Sequence, residues 1–214
     1  FNLGTWSVRD NRFTVIDPLP NGVVWNLEPQ PELSGARSGR IIVTHSRDVE
    51  VTPLPYGSQQ LAGDEVIELQ RSQYGAALVE ALPGQFEYRV SWQSEYRNDL
   101  APTEFDLSIP DNYRATIEKV AQEIDLQDGT PQEAVERISK FFAEQFKYSL
   151  IQRGFYPGRT PLSQFLLDNR QGHCEYFATA TTLLLRSAGI PARYAVGYVV
   201  DEYSTIEGAF IARA

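Results

Sequence analysis

The single cysteine of the chain, Cys174, stands in Arg170-Gln-Gly-His-Cys-Glu-Tyr-Phe-Ala178, between a glycine and the start of an apolar run. A thiol at a helix N-terminus feels the positive end of the helix dipole and nearby free N–H groups, and both favour the thiolate. The same N–H groups can receive the oxyanion that forms when a nucleophile attacks a carbonyl. The bland alternative is a small apolar side chain packed in a core, the commoner fate of a free cysteine. Position alone does not separate the two.

Other chemistry-bearing residues are scarce. The chain has two histidines, His45 and His173. His173 directly precedes Cys174, and neighbouring side chains on a helix diverge, so a Cys–His pair between them has poor geometry. His45 lies in a strand-like segment and reads as a satisfied structural residue. Asp168 and Glu175 are the carboxylates nearest the cysteine in sequence. A carboxyl titrating near 4 is badly matched to a thiol near 8.5, whereas an imidazolium both matches and stabilises a thiolate. Glu175 better suits the first helical turn, and Asp168 the end of the preceding helix. One cysteine forms no intrachain disulfide, and His173 with Cys174 lacks two further ligands at zinc spacing. No acidic loop has EF-hand-like spacing.

The elements that position Cys174 follow from pattern. From Asp111, apolar residues at Tyr113, Ile117, Val120, Ala121 and Ile124 keep a helical period and predict a helix ending near Gly129. Thr130-Pro-Gln-Glu133 is a capping box with proline at the first helical position, and Val135, Ile138, Phe142 and Phe146 mark the next buried stripe. A loop over 152–159 leads to a short helix capped by Thr160-Pro161, with Leu162, Phe165 and Leu166 inward. A third long helix is expected from Cys174 to Ala188, anchored by Phe177, Thr181, Leu184 and Leu185 and ended by a left-handed Gly189 and by Pro191. Ala192 to Val200 reads as a strand, Asp201 to Ser204 as a turn, and Gly208 to Ala212 as a returning strand.

Residues 1–107 have a different character. Arg40 to His45 and Phe86 to Trp92 are rich in β-branched and aromatic residues, with Phe86, Tyr88, Val90 and Trp92 on one face. Asp64 to Gln70 and Tyr74 to Glu80 read as further strands, with proline and glycine at the turns between them. The expected fold class is α+β: a β-sandwich-like domain over 1–107, then a helix-rich domain over 108–214.

Gly172-His-Cys-Glu-Tyr-Phe-Ala178, then Leu183-Leu-Leu-Arg186, Ala188-Gly-Ile-Pro-Ala-Arg-Tyr194 and Val196-Gly-Tyr198, resemble the core of the transglutaminase-like superfamily. Phe146-Lys-Tyr-Ser-Leu150 and Thr160 to Asp168 fit the helix and loop ahead of the nucleophile in that family, so the resemblance spans about residues 130–214. The resemblance is narrower to bacterial membrane-anchored members with an extracytoplasmic β-domain. It implies a papain-like fold, Cys174 as nucleophile of acyl transfer, and a protein or peptide substrate. It also implies an extracytoplasmic location and a membrane-anchored parent. No cofactor is implied. In the family a histidine on the next strand and an aspartate or asparagine on the following one complete the triad. These are expected beyond residue 214, so the core reads as truncated at its C-terminal strands and this chain alone as inactive. A complementing C-terminal segment would then be a partner. The rival expectation is a non-catalytic binding or scaffold module of the same fold.

Composition sets the outer limits. The chain has 214 residues, 42% hydrophobic and 22% charged, which fits packed domains and excludes collagen-like and disordered classes. Nineteen basic against 28 acidic residues leave a net charge of −9, which argues against nucleic acid as a partner. The sequence has no methionine and opens on Phe1, which reads as a processed or excised segment. The start lacks the apolar stretch of a signal peptide, and no run is long enough to span a bilayer.

Overall fold

The computed structural model describes residues 13–31, 33–93, 101–151 and 158–212. The opening segment and most of the loop expected over 152–159 lie outside them. The chain is a mixed α and β protein whose residues divide into two compact units, one formed by 101–196 and one by the strands before residue 100 together with 197–212.

The strand unit holds two four-stranded antiparallel sheets. One is ordered β1 (Phe13–Ile16), β6 (Glu68–Ser72), β7 (Ala77–Glu80), β4 (Val49–Thr52), and the other β2 (Val24–Asn26), β5 (Ser58–Ala62), β8 (Gly84–Trp92), β3 (Arg37–His45). Trp25, Leu61, Phe86, Tyr88 and Val90 from the second sheet and Leu69 and Val79 from the first belong to one buried cluster. The alternation of β8 explains its share: Phe86, Tyr88 and Val90 are buried while Glu87 and Arg89 are exposed. The long β3–β8 pairing runs in unbroken register from Arg37 opposite Trp92 to His45 opposite Gly84. The strands expected over 64–70 and 74–80 are each shorter and begin later, because 64–67 and 73–76 are spent on turns. Strands β1, β2, β4 and β5, each three to five residues long, have no counterpart in the sequence reading.

The helical unit is built on α1 (Asp111–Glu123), α2 (Pro131–Gln145), α3 (Pro161–Gln164) and α4 (Cys174–Ser187). Helix α1 stops short of the expected end near Gly129. Asp125 takes a left-handed φ of 53°, and the Leu126 N–H donates to the Ala121 carbonyl while that of Asp125 reaches Gln122. This is the double-bonded helix ending usually made by glycine. Helix α2 begins as its capping box requires: the Glu133 N–H donates to Thr130 Oγ1, and Glu133 Oε2 accepts from the Thr130 N–H at 2.7 Å. Its buried stripe is Ala134, Ile138 and Phe141, with Phe142 partly covered and Val135 out in solvent. Residues 165–169 continue α3 as a π-helical turn that ends at Arg170.

The strand expected over 192–200 does not form. Among the described residues this stretch joins no sheet, and Val196 and Val199 stand 85% and 76% exposed. Its apolar, β-branched composition favours extension, but a strand also needs a neighbour to bond. The turn expected over 201–204 falls instead at 205–208, between β11 (Glu202–Ser204) and β12 (Ala209–Ile211), which pair as a hairpin.

Candidate functional site

Cys174 is the first residue of α4 and is exposed. His173 is the N-cap, extended at φ −94° and ψ 178°, and its carbonyl receives the Tyr176 N–H at 3.0 Å. The N–H groups that open a helix lack intrahelical acceptors, so Cys174 stands at the donor-rich end of α4. The acidic residue of that turn is Glu175, on the side of the dipole that favours it.

The ribbon entering the helix is held at several points. Gln171 and Gly172 form β10, paired in parallel with Lys147 and Tyr148 of β9. The Ser149 N–H donates to the Gly172 carbonyl at 2.8 Å, and the Lys147 N–H to the Arg170 carbonyl at 2.9 Å. Gly172 is packed so closely that a Cβ there would lie 2.9 Å from Cδ2 of Phe165 and 3.1 Å from Cβ of Tyr176. Only glycine fits this approach. Beneath the ribbon, Phe142, Phe146, Phe165 and Phe177 form an aromatic cluster with centroid separations of 5.0 to 6.2 Å. The face anchoring α4 consists of Tyr176, Thr179, Ala180, Leu183 and Leu184, all buried. Of the expected anchors, Leu184 belongs to it, Phe177 and Leu185 pack against its edge, and Thr181 is half-exposed.

At its other end α4 closes with Gly189 at φ 73°, the Ile190 N–H donating to Leu185 and that of Gly189 to Arg186. Arg186 is buried. Its Nε and Nη2 donate to the Ala192 carbonyl at 2.9 and 2.7 Å, and its Nη1 to that of Ser108 at 2.9 Å. Arg193 then grips Asp106 side-on through one edge of its guanidinium, Nε donating to Oδ1 and Nη2 to Oδ2, each at 2.8 Å. Burial pushes the Asp106 carboxyl up, but the Arg193 bonds and charge and the Thr103 N–H and hydroxyl outweigh it and hold the group below its ordinary value.

This pinned return carries Tyr194 back toward the first turn of α4. Burial, then the charges of Glu175 and Cys174, raise its phenol above the ordinary value. Burial and Glu175 do the same for Tyr176, whose ring also packs edge-on against His173 at 4.9 Å.

The remaining candidates fall elsewhere. No hydrogen bond or ion pair joins His173 to Cys174 among the described residues. His45 ends β3 in the strand unit, 3% exposed, its ring edge-on to Phe86 at 4.7 Å. Neither of its nitrogens has a hydrogen-bond partner among the described residues, so it is structural but not satisfied. Asp168 lies within the π-helical turn, and its two carboxylate oxygens accept from Arg159 Nη1 at 2.7 and 2.6 Å. Among the described residues no group of three or more His, Cys, Asp or Glu could hold a metal, and no helix is long and apolar enough to cross a membrane. The sequence assigns no role to Arg170, Arg186, Asp106 or Tyr194; the signal it offers is that Arg170, Arg186 and Tyr194 fall within the segments around Cys174 and its return, and for Asp106 it offers none.

A cysteine opening a helix, preceded by a pinned glycine ribbon and followed by a Gly-Ile-Pro-Ala-Arg return, resembles the core of the transglutaminase-like superfamily. Residues 118–212, which hold this site, match the model of the transglutaminase-like superfamily. The chain is 33% identical over 116 residues, 52% of its length, to a protein-glutamine gamma-glutamyltransferase of Pseudomonas aeruginosa. It is 50% identical over 42 residues, 20% of its length, to the uncharacterized protein YebA of Bacillus subtilis. The chain spans only 17% and 6% of those two relatives. Its fold matches the crystal structure of the periplasmic domain of TgpA from Pseudomonas aeruginosa bound to ethylmercury, with a TM-score of 0.53 and 21% identity, over 94% of this chain and 74% of that one.

Proposed function

We propose that this chain is the part of a cysteine-dependent acyl-transfer enzyme that carries its nucleophile, Cys174. The observation that supports this most is the exposed thiol at the first position of α4, approached by a ribbon with no room for a side chain at residue 172. In the proposed reaction the thiolate attacks the carbonyl carbon of a glutamine carboxamide in a protein or peptide. The C–S bond forms, the C–N bond breaks, and ammonia leaves with a proton from the general acid. A primary amine or water then attacks the thioester, giving an isopeptide or a carboxylate and restoring the thiol. Attack on a peptide carbonyl would give hydrolysis by the same steps. The first-turn N–H groups of α4 serve as donors to the oxyanion.

The acid–base partner in this reading is an imidazole oriented by a carboxylate, neither of them supplied by His45 or His173. Both come from outside this sequence, either in the same parent or in a complementing segment, and the chain alone is inactive. The parent is placed outside the cytoplasm and anchored to a membrane; that the structural neighbour is a periplasmic domain supports the location.

The test is incorporation of a fluorescent primary amine into a glutamine-bearing protein by the natural protein that contains this chain. Cys174→Ala is expected to lower the rate by at least about 10³-fold, as loss of a nucleophile does. Equal incorporation by both proteins would sink the assignment.

A further inference from the structure

Among the described residues, Asp125 and Arg170 are the two non-glycine positions with positive φ. Asp125 ends a helix, where short polar side chains tolerate the left-handed region. Arg170 sits at φ 47° and ψ 33°, where glycine or asparagine is the usual occupant, so its side chain must offset a steric cost. Its guanidinium carbon lies 5.8 Å from the ring centroid of Phe141 and 5.7 Å from that of Phe146. Both are within cation–π range. Nη2 is 3.3 Å from Glu123 Oε1. The Arg170 N–H donates to the Phe165 carbonyl at 3.1 Å, and its own carbonyl accepts from Lys147. One residue therefore ties together α1, α2, the segment after α2 and the π-helical turn. Only Gln171, Gly172 and His173 separate it from Cys174.

We propose that Arg170 is a positioning residue for Cys174, its left-handed backbone aiming the ribbon 171–173 and its guanidinium fastening that ribbon to the helices on which α4 packs; this rests on the reading of Cys174 as nucleophile. A glycine would adopt the turn more easily but would leave the ribbon tied only by its backbone bonds. The arginine exchanges backbone ease for a fixed starting point. Rigidity of that kind matters where a nucleophile must meet its target within a fraction of an ångström.

The test compares the natural protein that contains this chain with its Arg170→Gly and Arg170→Lys variants. Three quantities are measured: the second-order rate of Cys174 alkylation by iodoacetamide at pH 7, amide exchange over 171–174, and the thermal midpoint. The glycine variant relieves the backbone while deleting the clamp, so its midpoint is expected to move by less than about 4 °C. Its alkylation is expected to slow by at least about fivefold, and exchange over 171–174 to rise. Lysine keeps a cation over the rings and is expected to restore at least half of the lost rate. A glycine variant alkylated at the wild-type rate overturns the proposal, as does a lysine variant as slow as the glycine one. A large fall in midpoint with unchanged alkylation and unchanged exchange leaves Arg170 only a stabilising role and overturns it too. A wild-type thiol no faster than N-acetylcysteine would fail the nucleophile reading instead. The exchange comparison would then still decide whether Arg170 positions the ribbon.

Discussion

The Cα of Gly172 faces the ring of Phe165 so closely that an added methyl carbon would stand 2.9 Å from Cδ2 and 3.0 Å from Cε2. Phe165 is fully buried and held by Phe142, Phe146, Tyr176 and Phe177, so it has little room to yield. Gly172→Ala is therefore expected to destabilise the helical unit by about 1–3 kcal/mol, the usual cost of overpacking a tight core. It should also displace β10 from β9. Urea unfolding followed by tyrosine fluorescence measures the first, and protection of the Ser149 amide, which donates to the Gly172 carbonyl, measures the second. Wild-type stability in the alanine variant would mean that the ribbon is not pinned.

His45 gives an expectation of the opposite sign. Its imidazole is buried against Phe86 with neither nitrogen bonded among the described residues, and a buried unsatisfied polar group costs about 1–3 kcal/mol. Replacing it with an apolar side chain of similar volume removes that cost while keeping most of the packing. His45→Leu is expected to leave the stability of the strand unit at pH 7 unchanged or to raise it, in contrast to most core substitutions. A loss above about 1 kcal/mol in chemical denaturation would show that the ring makes a bond the leucine cannot replace.

What was legible in the sequence was local. The Thr130–Glu133 box works between residues three apart, so its residue types predict its bonds, and the Cys174 helix is announced by glycine before it and Gly-Ile-Pro after it. Helix α1 misled because the left-handed stop is an aspartate, whereas the sequence offered Gly129. Strand β5 reads Ser-Gln-Gln-Leu-Ala, with little alternation to betray it. It is a strand because β8 pairs with it, around an irregularity at Gln59 that leaves a glutamine amide fully buried. The contacts that frame the site were invisible for the same reason. Arg193 meets Asp106 from 87 residues away and Arg186 meets Ser108 from 78, and no spacing rule connects such pairs.

Tyr194 reports on the charge beside the thiol. Its phenol is raised by burial first and then by the negative charges of Glu175 and Cys174. Glu175→Gln removes one of those charges, so Tyr194 is expected to ionise at a lower pH in that variant than in the wild type. Difference titration at 295 nm, with Tyr194→Phe subtracted to isolate this phenol from the other tyrosines, measures the change. Stability follows the same sign: the raised native value means that this contribution is present below the ordinary phenol range, near 10, and is lost as pH climbs through the native one. An unmoved or higher titration in the glutamine variant would place Tyr194 away from the first turn of α4.

Asp106 makes a prediction for acid. Burial raises its carboxyl, but the two bonds from Arg193, the charge behind them and the bonds from Thr103 prevail, so the native value lies below the unfolded one. A carboxylate depressed in this way contributes stability that is fully present above its unfolded value, about 3.9, and is lost as pH falls through the native value. Asp106→Asn cannot ionise, and it leaves the half-buried Arg193 guanidinium facing a neutral amide. At pH 7 it is expected to cost about 1–3 kcal/mol, since the pair it breaks is hydrogen-bonded as well as charged. Below pH 4 the gap between wild type and variant should narrow, because the wild type is then surrendering the same interaction by protonation. Unfolding free energies from urea titrations at pH 7, 5, 4 and 3 give the two curves. Parallel curves across that range would mean that Asp106 is not depressed, and that Arg193 is held to residues 101–108 by its carbonyl bond to Ala101 more than by the carboxylate.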